Sequence, residues 1–128
     1  MREIDAALAD SGETIAGLRA NLAKSIDALE RATDWLLAQY KNDVRNAAAG
    51  AMPYIRLWGV TLGGWLMARS TLAAQAALAA GEGDAAFLRD KIVTANFFGE
   101  RILPRAAAYE AETTAGAASL MAIADAAM

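Results

Sequence analysis

The sequence contains no cysteine and no histidine. These absences exclude disulfides, thiol chemistry, Cys/His metal sites and any nucleophile activated by a histidine. They also exclude the di-iron sites of helical bundles, which need Glu-x-x-His pairs. Among the carboxylates, Glu110 and Glu112 fall on different faces of a helix, and Asp10, Glu13 and Asp27 belong to polar stretches. The residues themselves therefore predict no catalytic set and no metal site.

Proline, valine and isoleucine are also scarce, and alanine is the commonest residue in this chain of 128. That composition predicts an all-α fold, and the length predicts a single domain with a real core. The formal net charge is −3, and acidic and basic residues are interleaved. Because no basic block is present, a nucleic-acid interface is not expected.

The longest apolar stretch runs from Pro53 to Ala80 and holds two of the three tryptophans. A membrane span is not expected there, because Arg56 and Arg69 interrupt it and a span needs about 20 uninterrupted apolar residues. The first residues are acidic and lack the apolar core of a signal peptide. The sequence thus predicts a cytoplasmic protein without a membrane span.

Apolar periodicity predicts three long helices and a shorter fourth in an antiparallel, up-and-down bundle. The long helices are expected over 13–40, 44–80 with a kink at Pro53, and 85 to about Pro104. After Pro104 the chain is expected to return as the fourth helix, packed through Leu120, Met121 and Ala124 and with a break at Thr113, Thr114 or Gly116. A further short helix is expected over 1–9.

Two short polar segments separate the predicted long helices. Asp43 and Asp84 are expected to be N-caps, since their carboxylates can accept hydrogen bonds from the first backbone amides of a helix. Gly81 is expected to end the second helix in a left-handed conformation. These assignments place the helices on either side of Gly81 next to each other.

Three glycines lie inside the second predicted helix, at Gly59, Gly63 and Gly64. Each costs roughly 1 kcal/mol relative to alanine, so a close helix contact is expected to gain from the missing side chains. Because hardly any face of this helix is polar, we also expect it to be buried on most sides.

Aromatic and arginine side chains cluster on the second and third predicted helices. They could anchor a protein interface or line a pocket for a phosphate-bearing ligand. The alternative is that Trp58, Trp65 and Phe98 are core residues and the arginines are solvated or capping. The candidate interface or pocket residues are Tyr54, Arg56, Trp58, Trp65, Arg69, Phe97 and Arg101.

Three motifs in these helices resemble the C-terminal helical domain of large FAD-dependent acyl-CoA dehydrogenases, in the subgroup that includes the dehydrogenase acting on 3-methylthiopropanoyl-CoA. They are P-Y-x-R-L-x-G at 53–59, G-G-W at 63–65 and A-N-F-F-x-E-R-x-L-P at 95–104. The segment LAKSIDALERATDWLLAQ, at 22–39, fits the same pattern, so the resemblance covers nearly the whole chain.

The resemblance implies that residues 1–128 are one helical domain from the C-terminal end of a larger enzyme, with 1–12 left from the preceding connection. In that family FAD and the acyl-CoA bind to a main body, where a glutamate removes the α-proton, and an electron-transfer flavoprotein takes the electrons. No glutamate of this chain matches that base, so no catalytic or cofactor-binding residue is expected here.

The implied role is packing against the main body and a second subunit. Two alternatives stay open at this point. One is an autonomous helical interaction module, and the other is a bundle that binds CoA or a nucleotide near Trp58, Trp65 and Arg69.

Overall fold

The computed structural model describes Met1, Glu3, Leu8 and residues 15–123, and these residues form helices and connecting turns with no strand. The predicted all-α class is confirmed. A 3-10 turn, Leu103–Arg105, joins the last two helices. The helices are α1 (Ala16–Asn42), α2 (Val44–Ala80), α3 (Ala85–Arg101) and α4 (Ala106–Thr114).

The junction between α1 and α2 is a single extended residue, Asp43. Its carboxylate accepts a hydrogen bond from the backbone N–H of Arg45 at 3.0 Å, which confirms it as an N-cap. The Arg45 guanidinium lies 2.8 Å from the same carboxylate and holds the pKa of Asp43 below its ordinary value. The cap therefore stays charged over the ordinary range of pH.

The junction between α2 and α3 also follows the prediction. Gly81 has φ +70°, a left-handed conformation that a residue with a side chain rarely adopts. The carboxylate of Asp84 accepts hydrogen bonds from the N–H groups of Ala86 at 2.8 Å and Phe87 at 3.3 Å. These two caps turn the chain within four residues.

Contacts along the helices show their relative directions. Between α1 and α2, Ser25 meets Thr61 and Thr33 meets Tyr54, so the two helices are antiparallel. Between α1 and the last third of the chain, Leu18 lies against Gly99 and Arg31 against Glu110.

The last two helices therefore advance together along α1, and the predicted return of the chain after Pro104 does not occur. Pro104 lies in the first turn of a new helical segment, where its missing N–H costs nothing. Ile102 keeps right-handed helical angles, and no residue from Arg101 to Ala106 has a positive φ that could reverse the chain. The short α4 continues α3 beyond a bend.

A bidentate ion pair joins α4 to α1 in this orientation. The Arg31 guanidinium donates to the two carboxylate oxygens of Glu110 at 2.6 and 2.8 Å. The hydrogen bonds to Glu110 raise the pKa of Arg31, which therefore keeps its charge. Because the Arg31 side chain is 62% exposed, water screens the pair and its energy is small. Its geometry nevertheless specifies which turn of α1 faces α4.

The core lies between α1 and the other helices. One cluster gathers around Leu18 and Leu22, and a second around Leu29 and Leu57. Leu8 is 2% exposed and belongs to the first cluster. The predicted helix over 1–9 otherwise lies outside the described residues.

The expectation that α2 is buried on most sides is wrong. One face of α2 meets the other helices, and its buried positions carry small side chains apart from Leu57. Larger side chains of α2, such as Trp65 and Leu72, are only partly buried against the core. Small residues there allow the neighbouring helices to approach closely. The buried residues are Gly50, Leu57, Thr61, Gly64, Ala68, Thr71 and Ala74.

The tightest glycine contacts are also different from those predicted. A Cβ on Gly59 would meet no atom within 4 Å among the described residues, so no close contact occurs there. A Cβ on Gly63 would lie 2.7 Å from the Phe98 ring, and one on Gly64 would lie 2.6 Å from Leu103. Both neighbours are side chains, which can shift.

The closest approaches to backbone are at Gly50 and Gly99. A Cβ on Gly50 would lie 2.5 Å from the carbonyl oxygen of Thr113, and one on Gly99 would lie 2.5 Å from the Cα of Leu18. Beside the contact of Gly99 with Leu18, the side-chain amide of Asn21 donates a hydrogen bond to the carbonyl oxygen of Gly99 at 3.1 Å. These two glycines set the spacing between the helices.

The chain after α4 differs from the predicted packing. The predicted break is present, because α4 ends at Thr114 and Gly116 has φ +74°. Leu120 and Met121 are 68% and 61% exposed, so they are not packing positions. The third predicted position, Ala124, lies outside the described residues.

A buried polar pair offers a test of the packing between α1 and α2. The hydroxyl oxygens of Ser25 and Thr61 are 2.5 Å apart, and Thr61 also donates to the carbonyl of Leu57 at 2.8 Å. Ser25 is therefore the donor to Thr61. We expect Thr61→Val to lower the free energy of unfolding by about 1–3 kcal/mol, because it leaves the Ser25 hydroxyl buried without that acceptor.

The matched control is Ser25→Ala, which leaves the hydrogen bond from Thr61 to Leu57 intact. The double variant should be more stable than the sum of the two single losses predicts, because no unsatisfied hydroxyl remains. Urea unfolding of all four proteins measures this coupling. Strictly additive losses would show that the two hydroxyls are independent.

Candidate interaction surface

The outward face of α2 carries a continuous row of exposed apolar positions. They recur at alternating steps of three and four residues, which places them on one side of a helix. Their large side chains are 41–63% exposed. We call this row the α2 seam, and its members are Met52, Ile55, Gly59, Leu62 and Leu66.

The predicted aromatic residues divide between the seam's edge and the core. Trp58 is 42% exposed beside the seam, so it is not a core residue. Trp65 and Phe98 are partly buried against the first core cluster. Tyr54 packs on the second cluster, and its hydroxyl lies 2.8 Å from the hydroxyl of Thr33.

The arginines of this set are all exposed. The guanidinium carbon of Arg69 lies 4.8 Å from the centre of the Trp65 ring, which is a cation–π contact. The Arg56 side chain extends from α2 beside the seam, and Arg101 is the last residue of α3. The structure therefore holds Arg69 next to the seam through its contact with Trp65.

The third helix contributes a separate exposed position, Phe97, which is 60% exposed. Its neighbour Phe98 faces Gly63 of α2 instead. Adjacent helical residues point about 100° apart, so the two phenylalanines cannot serve the same surface. Phe97 and Arg101 thus belong to a second surface, away from the α2 seam.

An apolar groove adjoins one end of the seam, between α1 and α2. Its volume is about 420 Å³, and Ile55 belongs both to the groove and to the seam. Leu37 and Tyr40, on its other side, are 59% and 70% exposed. The groove is lined by Thr33, Leu36, Leu37, Tyr40, Ala47, Ala51, Tyr54 and Ile55.

The surroundings of Trp58 do not favour a phosphate-bearing ligand. The groove it lines also contains Glu30 and Asp34, whose carboxylates repel phosphate. Within the described residues, no group of three or more acidic side chains could hold a metal ion. The groove beside Trp58 therefore does not favour the diphosphate of a flavin or CoA.

No helix in the described part of the chain is long and apolar enough to cross a membrane. The large side chains on the outward face of α2 are 41–63% exposed. With an apolar centre and a tryptophan and arginines at its edge, this face has a composition typical of protein contact surfaces.

Comparison with known proteins assigns this helical domain to a family. A family model described as "Acetyl-CoA dehydrogenase C-terminal like" matches residues 1–124. The chain belongs to this family, which confirms the resemblance drawn from the motifs.

A curated relative is the 3-methylmercaptopropionyl-CoA dehydrogenase of Ruegeria pomeroyi (strain ATCC 700808 / DSM 15171 / DSS-3), 36% identical over 114 residues. The match covers 89% of this chain and 19% of the relative. The chain thus spans about a fifth of the length of a full dehydrogenase.

The sequence carries a signal for the seam that apolar periodicity does not reveal. Periodicity alone predicts burial for both faces of α2, because both are apolar. The distinguishing signal is side-chain size, because the fully buried positions of α2 are mostly Gly, Ala and Thr while its most exposed apolar positions are Met, Ile and Leu. A close packing contact requires small residues only on the face that meets the neighbouring helices.

Proposed function

We propose that this chain is the C-terminal packing domain of an FAD-dependent acyl-CoA dehydrogenase. In this role it binds the enzyme's main body and supports subunit association, and it supplies no catalytic residue. The α,β-dehydrogenation of an acyl-CoA, the FAD and the electron-transfer flavoprotein all belong to the full enzyme. The acyl-CoA named for the Ruegeria relative is a reasonable first substrate for such an enzyme.

The exposed apolar surface is the observation that carries this proposal. Large apolar side chains are exposed on α1, α2 and α3, with exposures from 41% at Leu62 to 70% at Tyr40. A contiguous apolar face on a protein surface marks an interaction site more often than a free surface. Membership in a dehydrogenase domain family supports the choice of the main body as the partner.

Two further observations support a role without catalysis. The chain has no histidine or cysteine, and the two grooves beside Tyr40 and Trp58 are lined mainly by apolar and acidic residues that do not form an acid–base pair. The chain also covers only 19% of a relative that carries the complete activity. Binding is therefore the function that these surfaces support best.

The direct test compares the full dehydrogenase with a version that lacks this domain. We expect removal of the domain to lower the number of subunits per particle, the thermal stability of the enzyme, or both, because an apolar contact surface is lost. Sedimentation measures the number of subunits. The isolated domain should not dehydrogenate 3-methylmercaptopropionyl-CoA when FAD and an electron acceptor are added. An unchanged number of subunits together with unchanged stability after the deletion would contradict the proposal. Activity in the isolated domain would contradict it as well.

A further inference from the structure

We propose that the α2 seam binds an amphipathic helix of the dehydrogenase body, and that this helix carries carboxylates facing Arg56 and Arg69. The inference rests on the proposed function, because it names the surface and the chemistry of the partner. It follows from three properties of α2: the spacing of its exposed residues, the position of one glycine and the sign of its charges.

The spacing points to a helical partner. From Met52 to Leu66 the seam repeats at steps of three, four, three and four residues. That alternation is the pattern by which one helix packs along another with side chains interlocked. Leu66 lies 14 residues after Met52. At a rise of 1.5 Å per residue the seam is therefore about 21 Å long, enough for several turns of a partner helix. A loop or a flat sheet would not need this repeat.

The glycine points to close packing. Gly59 lies in the middle of the seam, and a Cβ there would meet nothing within 4 Å in the described structure. Glycine destabilises a helix relative to alanine, and among the described residues no neighbour gains from the missing side chain of Gly59. A second helix crossing at this point would use the space.

The charges determine which helix fits. All charged side chains on α2 are arginines, although the chain as a whole has a net charge of −3. Arg45 is paired with Asp43, whereas Arg56 has no ion-pair partner among the described residues and Arg69 lies on the Trp65 ring. A second copy of α2 would bring only arginines to this surface, so the complementary partner carries Asp or Glu.

The partner's source follows from the length of the relative. The chain matches only 19% of the Ruegeria dehydrogenase, so most of such an enzyme lies outside the domain. A domain of this family therefore has a large body available as a partner. We assign the acidic amphipathic helix to that body.

The test is photo-crosslinking in the full-length dehydrogenase. Variants carry p-benzoylphenylalanine at one of three exposed positions: Leu62 in the seam, Leu37 on α1 or Phe97 on α3. Mass spectrometry then identifies the captured peptide. We expect Leu62 to capture a helical peptide of the body that has apolar residues at steps of three and four and flanking Asp or Glu.

Other capture patterns separate this inference from the proposed function. Capture of the body only from Leu37 or Phe97 would overturn the assignment of the seam and leave the packing role intact. If Leu62 captured α2 of a second copy, the inference that the seam binds an acidic helix of the body would be overturned. If none of the three positions captured the body, both proposals would fail.

A pair of substitutions adds a quantitative readout. Adding Gly59→Leu to the Leu62 crosslinking variant should reduce the capture of the body by about tenfold or more, because a leucine side chain would occupy the close contact. Ala20→Leu, at an exposed position on α1, is the matched control and should leave the yield unchanged. Equal yields from the two variants would overturn close packing at Gly59.

Discussion

Replacing Gly99 by alanine is expected to lower the free energy of unfolding by about 1–3 kcal/mol or more. The new Cβ would lie 2.5 Å from the Cα and 2.8 Å from the Cβ of Leu18. Backbone cannot rotate away as a side chain can, so α1 and α3 would have to separate. That separation would also lengthen the hydrogen bond from Asn21 to the Gly99 carbonyl, now 3.1 Å.

The matched control for Gly99 is Gly59→Ala, also in a helix interior. Its Cβ would meet nothing within 4 Å in the described structure, so only helix propensity changes. We expect this variant to gain about 0.5–1 kcal/mol. Thermal and urea unfolding of both variants measure the contrast. A Gly99→Ala protein that melts at or above the wild-type temperature would contradict the close contact.

Replacing Leu57 by alanine is expected to cost about 2–5 kcal/mol, the usual range for a buried leucine. Leu57 is 0% exposed and packs in the second core cluster with Leu29 and Ala106. It is the one large side chain among the buried residues of α2, so its loss leaves a cavity where α1, α2 and α4 meet. Small neighbours such as Ala28 and Ala32 cannot fill that space.

Leu66→Ala is the control on the opposite face of the same helix. Leu66 is 49% exposed, and its truncation should change the stability of the domain by no more than about 0.5 kcal/mol. Equal losses for the two leucines, measured by urea unfolding, would show that α2 is buried on both faces. A small loss at Leu66 together with weaker capture of the body would fit its place in the α2 seam.

The sequence determined the all-α class, the second helix and the caps at its two ends. Alanine-rich apolar periodicity defined α2 as Val44–Ala80, and the chemistry of Asp43, Gly81 and Asp84 fixed its junctions. These features are local, because a cap depends on side-chain oxygens and φ angles within a few residues. The motifs at 53–65 and 95–104 also determined the family, since they are a property of sequence.

Tertiary structure alone decided which apolar face is buried and where the chain goes after Pro104. Both faces of α2 are apolar, so periodicity could not distinguish them, and the small residues pack inward because they allow close helix contact. Pro104 is compatible with an ending or with a new first turn, and the contact of Arg31 with Glu110 accompanies the second. Burial depends on contacts between distant residues, whereas periodicity records only local spacing.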